Sequence, residues 1–113
     1  MELASLFTFP IVQGPMAGGA CTPELVAAVS NAGGLGAFPC ALLAPDAIRE
    51  QVARIRELTD RPFAMNFFVL ETPQPEKEEL DRAAELMRPL WESLGWSALP
   101  IPSQWCQDFA AQF

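Results

Sequence analysis

The sequence contains neither histidine nor tyrosine, and these absences limit the chemistry that its 113 residues can perform. Without histidine, a Ser–His–acid triad, a Cys–His pair and a His-Glu-x-x-His zinc site are all excluded. Acid–base chemistry would have to come from carboxylates, from a cofactor or from residues outside this chain. We therefore assign no catalytic residue and no metal ligand to it.

Cysteine is scarce as well. Cys21, Cys40 and Cys106 are odd in number and form no Cys-x-x-Cys motif. This pattern excludes a zinc ribbon or a thioredoxin-type pair, and it argues against a framework of disulfide bonds. We expect three free thiols.

Basic residues are few, and long apolar runs are absent from the sequence. The sequence has seven Lys and Arg residues and 14 Asp and Glu residues, which gives a net charge of −7 and no basic patch. Nucleic acid and anionic membrane are therefore not expected partners. No run reaches the roughly 18 apolar residues that a membrane helix needs. The start of the sequence lacks the basic residues of a secretory signal, so we expect a cytoplasmic location.

The first 70 residues alternate short apolar runs with amphipathic patterns. Residues 10–13, 35–38 and 63–70 are the apolar runs and predict three strands, while helices are predicted to begin near Pro23 and Pro45. Strands that are apolar on both faces and joined by helices indicate a parallel sheet in an α/β fold. A doubly wound sheet and a (β/α)₈ barrel share this opening, and a barrel needs roughly 250 residues.

Residues 71–113 read as a helical and proline-rich continuation. A charged helix is predicted over 76–94, then an extended stretch, then the opening of a further helix. Three strands would leave one face of the sheet uncovered, which favours self-association. We therefore expect 1–113 to be a single partial domain, the truncated N-terminal part of a longer fold. The alternative is a compact three-stranded interaction domain without enzymatic activity.

The tightest turn of the sequence, Gly14-Pro-Met-Ala-Gly-Gly19, follows the first predicted strand. Ligands of parallel α/β folds bind at the carboxyl ends of the strands, and glycines allow the main chain to approach them closely. A tight connection without a ligand is the alternative. The later run Gly33–Gly36 lacks the third glycine of a dinucleotide motif and precedes a strand. We interpret it as helix termination and close packing.

Asn66 is the one polar residue in an otherwise apolar predicted strand. A buried amide without a partner costs about 1–3 kcal/mol, so Asn66 needs a hydrogen-bond partner. The mixed polar atoms of a cofactor or the backbone of a neighbouring loop could supply it. Both interpretations remain open at this point.

Three stretches of the sequence resemble the start of the nitronate monooxygenases, formerly called 2-nitropropane dioxygenases. They are Pro10-Ile-Val-Gln-Gly-Pro-Met-Ala-Gly-Gly19, Thr22-Pro-Glu-Leu-Val-Ala-Ala-Val-Ser-Asn-Ala-Gly-Gly-Leu-Gly36 and Leu58-Thr-Asp-Arg-Pro-Phe-Ala-Met-Asn-Phe67. The resemblance covers residues 8–70 well and residues 86–113 more loosely. The same motifs do not separate this family from the FMN-dependent enoyl-acyl-carrier-protein reductases or other FMN barrel oxidoreductases, which stay as the alternative.

The resemblance implies the N-terminal portion of a TIM (β/α)₈ barrel that binds FMN and oxidises alkyl nitronates with molecular oxygen. Carried onto this sequence, Pro15, Met16 and Ala17 would line the flavin through main-chain contacts, and Asn66 would be a side-chain ligand to FMN. Members of the family continue for more than twice this length, and their catalytic histidine and phosphate-binding loops lie in the later part. The resemblance therefore implies that these 113 residues are inactive alone.

Overall fold

The computed structural model describes residues 6–70, 74–102 and 106–113. The chain divides into two compact units, residues 1–70 with 106–113 and residues 71–105. Its elements in order are α1 (Pro23–Asn31), β1 (Gly36–Pro39), α2 (Pro45–Leu58), β2 (Phe63–Asn66), α3 (Lys77–Ser93) and α4 (Phe109–Gln112). Among residues 74–102 of the second unit, α3 is the one helix or strand.

The first unit contains a small parallel sheet, which confirms the α/β class. β1 pairs with β2 so that Gly36 lies opposite Phe63 and Pro39 lies opposite Asn66. The expectation of three strands is corrected, because the described residues form two strands and the first predicted strand contributes a single parallel bridge. That bridge joins Val12 to Leu35.

Proline explains why the first predicted strand stops so early. The N–H of Leu35 donates to Ile11 O at 2.9 Å, and Leu35 O accepts from the N–H of Gln13 at 3.0 Å. The next step of a parallel ladder would need an N–H from residue 15, which is proline and has none. Backbone pairing on this side of the sheet therefore ends at Gln13.

The third predicted strand also ends early, at Asn66 instead of residue 70. The N–H of Cys40 donates to Asn66 O at 2.8 Å, and this is the last backbone hydrogen bond between the two segments. Cys40 O instead accepts from Nε2 of Gln112 on α4 at 3.0 Å. The ring of Phe67 meets Phe109 edge-on, with 5.9 Å between centroids. The chain after Asn66 thus leaves the sheet and packs against α4.

Helix α1 begins and ends where the sequence predicts. The Oγ1 atom of Thr22 accepts from the N–H of Leu25 at 3.3 Å and caps the first turn. Gly33 adopts a φ of +93°, and the N–H of Gly34 donates to Val29 O at 3.1 Å. This is the left-handed glycine ending of a helix, which confirms the helix-termination role of the glycine run.

The core of the first unit lies between α1, α2 and β1. Its buried apolar side chains are Cys21, Val26, Phe38, Cys40, Ile48 and Ile55. Ser30 is buried among them, and its Oγ accepts from the N–H of Gly36 at 3.1 Å and donates to Pro62 O at 2.9 Å. A single hydroxyl therefore links α1 to β1 and to the residue that precedes β2.

The second unit is built around α3, which has no buried residue. The Glu79 carboxylate accepts from the N–H of Glu76 at 3.1 Å at its start, and the helix continues through Pro89.

Within the described ranges, no helix is long and apolar enough to cross a membrane.

Burial raises the pKa of the Cys40 thiol, and this makes stability dependent on pH. Because the folded pKa is the higher one, the contribution is complete below the pKa of the unfolded thiol and is lost as pH rises through the folded value. We expect the free energy of unfolding, measured by urea titration, to fall above about pH 8.5. The variant Cys40→Ala should lack this part of the fall, and an identical pH profile in both proteins would contradict the assignment.

Candidate functional site

The Gly14–Gly19 turn leaves the sheet at its carboxyl edge with its main chain open. All of its residues are exposed, and Gly18 and Gly19 have φ values of +83° and +99°. A Cβ built on either glycine would meet no atom within 4 Å. These glycines are therefore required by the backbone conformation, and they leave the main chain accessible to a ligand.

An open cavity of about 300 Å³ lies beside this turn. Its lining includes Ala17, Gly18 and Gly19 from the turn, together with Phe38, Pro39 and Leu42. The cavity therefore sits at the carboxyl end of β1, between the connections that follow two neighbouring strand segments. This is the position at which parallel α/β folds bind their ligands.

The four residues predicted to bind a cofactor all lie at this edge of the sheet. Ala17 lines the cavity, while Pro15 and Met16 are exposed on the same turn but do not line it. Asn66 is the last residue of β2 and pairs with Pro39, which does line the cavity. That these residues bind a common ligand stays a prediction.

The side chain of Asn66 is half-buried and makes no hydrogen bond with any described residue. Only its backbone participates, through the carbonyl that accepts from Cys40. The loop-backbone partner that the sequence left open is therefore absent from the part of the chain described here. An amide in this setting favours a partner that can both donate and accept.

Sequence reasoning missed the importance of Gln13 and its contact with Cys21. Gln13 is half-buried, and its Nε2 atom lies 2.9 Å from Cys21 Sγ. Cys21 is 6% exposed and lines the cavity. The signal available in the sequence was a polar residue at the end of an apolar strand, two positions before a proline.

No charged side chain of the described residues lines the cavity. One exposed ion pair, between Nη2 of Arg54 and Oε1 of Glu24 at 3.2 Å, joins α2 to α1. The pKa of Glu24 is lowered, first by a hydrogen bond from its own backbone N–H and then by Arg54. The described lining of the cavity thus offers main chain, apolar side chains, the Gln51 amide and the Cys21 thiol, but no charged group.

A parallel sheet with an open, uncharged site at its carboxyl edge is the arrangement of ligand-binding α/β enzymes. The family profile described as "Nitronate monooxygenase" matches residues 2–97. The chain belongs to the nitronate monooxygenase family, which is a family of oxidoreductases. The resemblance seen in the sequence motifs is confirmed.

Individual relatives agree with this assignment. A probable nitronate monooxygenase of Bacillus subtilis (strain 168) is 46% identical over 79 residues, which are 69% of this chain and 23% of the relative. The solved nitroalkane oxidase of Streptomyces ansochromogenes is 41% identical with a TM-score of 0.68, over 80% of this chain and 26% of that one. FabK from Thermotoga maritima is 35% identical with a TM-score of 0.53, over 73% and 25%. The chain spans about a quarter of the length of these proteins.

Proposed function

We propose that the Gly14–Gly19 turn and Asn66 bind FMN at the mouth of a (β/α)₈ barrel. The enzyme to which this segment contributes would oxidise alkyl nitronates with molecular oxygen. Family membership supports the reaction class. The observation that carries the ligand assignment is the half-buried Asn66 amide, which no described residue satisfies.

The residues at the sheet edge fit a flavin in two ways. Pro15, Met16 and Ala17 would lie against the isoalloxazine through their main chain, and the missing Cβ atoms of Gly18 and Gly19 keep that approach open. The Asn66 amide can donate and accept at once, which matches the mixed carbonyl and N–H groups of the ring.

The division of work between ligand and protein follows from the absence of charged side chains from the described lining of the cavity. When bound, the flavin supplies the electron transfer, and this segment contributes binding and orientation. Since the sequence holds no histidine, we propose that these 113 residues do not catalyse the reaction alone.

Replacing Asn66 by alanine should weaken FMN binding by about tenfold to a hundredfold, because one or two hydrogen bonds from a half-buried amide are lost. The measurement is a fluorescence titration of FMN into a chimera in which this chain replaces the matching N-terminal quarter of the Streptomyces nitroalkane oxidase. Nitronate-dependent oxygen consumption is measured in parallel.

The matched control is Gln74→Ala, which removes an exposed amide from the second unit. It should bind FMN as the unaltered chimera does. Equal affinity in the Asn66→Ala chimera, with its fold intact by circular dichroism, would remove Asn66 from the FMN site.

The likeness to FabK supports an enoyl-acyl-carrier-protein reductase less strongly, since its TM-score and identity are lower than those of the nitroalkane oxidase. Assays of an intact flavoenzyme that contains this segment distinguish the oxidation of nitronates from the reductase activity. Oxygen consumption with an alkyl nitronate supports our proposal. Bleaching of the flavin by NADH without nitronate turnover would favour the reductase.

A further inference from the structure

We propose that Gln13 is a positioning residue whose side chain replaces a missing backbone hydrogen bond of the sheet and thereby holds the Gly14–Gly19 turn in its ligand-binding shape. The consequence for flavin rests on the proposed function. The structural part of the inference rests on hydrogen bonds within this chain and can be tested without any ligand.

The need for such a residue arises from Pro15. In a parallel ladder every second residue faces the same neighbour, so Ala37 faces the first strand segment as Leu35 does. Its N–H would pair with Gln13 O and its carbonyl with the N–H of residue 15. Pro15 has no N–H, so the backbone alone cannot satisfy Ala37 O.

The Gln13 side chain supplies both missing groups. Its Nε2 donates to Ala37 O at 3.2 Å, and its Oε1 accepts from the N–H of Ala37 at 3.4 Å. An amide placed the other way round would bring donor against donor and acceptor against acceptor, so the pairing fixes its orientation. Ala37 is 4% exposed, and water has little access to replace these bonds.

The Gln13 amide also contacts the residues at both ends of the turn. Its Nε2 lies 2.9 Å from Gly14 O, where the turn begins, and 2.9 Å from Cys21 Sγ, just after the turn ends. The Cys21 thiol in turn donates to Ala37 O at 3.1 Å. The Gly14 carbonyl and the Cys21 thiol thus both contact the Gln13 amide that is bonded to Ala37 of β1, while the chain between them is exposed. Two N–H bonds are shared among three acceptors, so the contacts act as one unit.

The test measures amide hydrogen exchange of the 113-residue chain, in the unaltered protein and in two variants. Gln13→Leu keeps the approximate volume but removes both hydrogen-bonding groups. Gln13→Glu keeps an acceptor for the N–H of Ala37 but loses the donor toward Ala37 O, Gly14 O and Cys21. Gln74→Leu is the matched control on an exposed glutamine.

We expect the Ala37 amide to exchange on the order of tenfold faster in Gln13→Leu, since it loses its acceptor. It should stay closer to the unaltered rate in Gln13→Glu, which keeps an acceptor for this N–H. The Cys40 amide, which bonds to Asn66 O on the other side of β1, should not change. General destabilisation would accelerate Cys40 equally and would overturn a positioning role.

The unaltered protein provides a test that does not depend on whether a variant folds. If its Ala37 amide exchanges as fast as an unprotected one, the bond to Gln13 is absent and the proposal is wrong. In the chimera, Gln13→Leu should raise the FMN dissociation constant on the order of tenfold, with a shifted flavin absorption spectrum. Faster exchange at Ala37 with Cys40 unchanged, in a chain that binds no FMN, would support the positioning role while contradicting the proposed function, so the two can fail separately.

Discussion

The substitution Gly36→Ala is expected to abolish stable folding of the first unit. A Cβ at residue 36 would lie 2.2 Å from Val26 O and within 3 Å of two other backbone atoms of Val26. Backbone in the middle of a helix cannot move aside as a flexible side chain can. Helix α1 would have to withdraw from β1, and the 3.1 Å bond between the N–H of Gly36 and Ser30 Oγ would be lost with it.

This rearrangement should lower the free energy of unfolding by more than about 4 kcal/mol. Losses of this size typically come from mechanisms such as backbone clashes and broken buried hydrogen-bond networks. That is a large fraction of the roughly 5–15 kcal/mol by which folded domains are typically stable. Far-UV circular dichroism during thermal unfolding measures the effect. Gly14→Ala is the control, because a Cβ there meets nothing within 4 Å and its φ is not positive. A cooperative transition of Gly36→Ala at the temperature of the unaltered protein would contradict the close packing.

The ends of helices could be predicted from the sequence because they depend on local chemistry. The Thr22 hydroxyl and the glycine at 33 act on backbone groups within the same turn, and both perform the predicted role. The close approach at Gly36 was likewise predicted from the glycine run as a whole. Which glycine makes the approach could not be predicted, since it depends on where α1 crosses β1.

The ends of strands were predicted less well because they depend on partners elsewhere in the chain. The apolar run continues to residue 70, but β2 ends at Asn66. One reason is that Nε2 of Gln112 donates to Cys40 O, the carbonyl to which a longer β2 would bond. The first strand is similarly cut short by Pro15. A proline is visible in a sequence, but its effect on Ala37 follows only from the register of the sheet.

The same distinction applies to the candidate site. Asn66 could be selected from the sequence because an amide among apolar neighbours is conspicuous by composition alone. Gln13 was not selected, although it makes more hydrogen bonds, because its partners Ala37 and Cys21 are 24 and 8 residues away. The turn itself was predicted because its glycines and prolines are a local signal.

Replacing Ile55 by alanine should produce a large loss of stability, because Ile55 is the largest fully buried side chain among the described residues. Ile55 is 0% exposed and lies in the cluster that joins α2 to Val26 and Phe38. Truncation removes three methyl or methylene carbons and leaves a cavity that a helix–sheet interface can close only in part. The expected cost is about 2–5 kcal/mol.

Urea unfolding followed by circular dichroism at 222 nm measures this loss, and a graded series makes it specific. Ile55→Val should cost about 0.5–1.5 kcal/mol, since it removes one carbon. Ile11→Ala makes the same chemical change at a side chain that is 62% exposed and should cost far less. Equal losses for Ile11→Ala and Ile55→Ala would mean that α2 does not pack on the sheet. The turn and the cavity would then have no rigid support, because Leu42 and α2 form part of the same cavity wall.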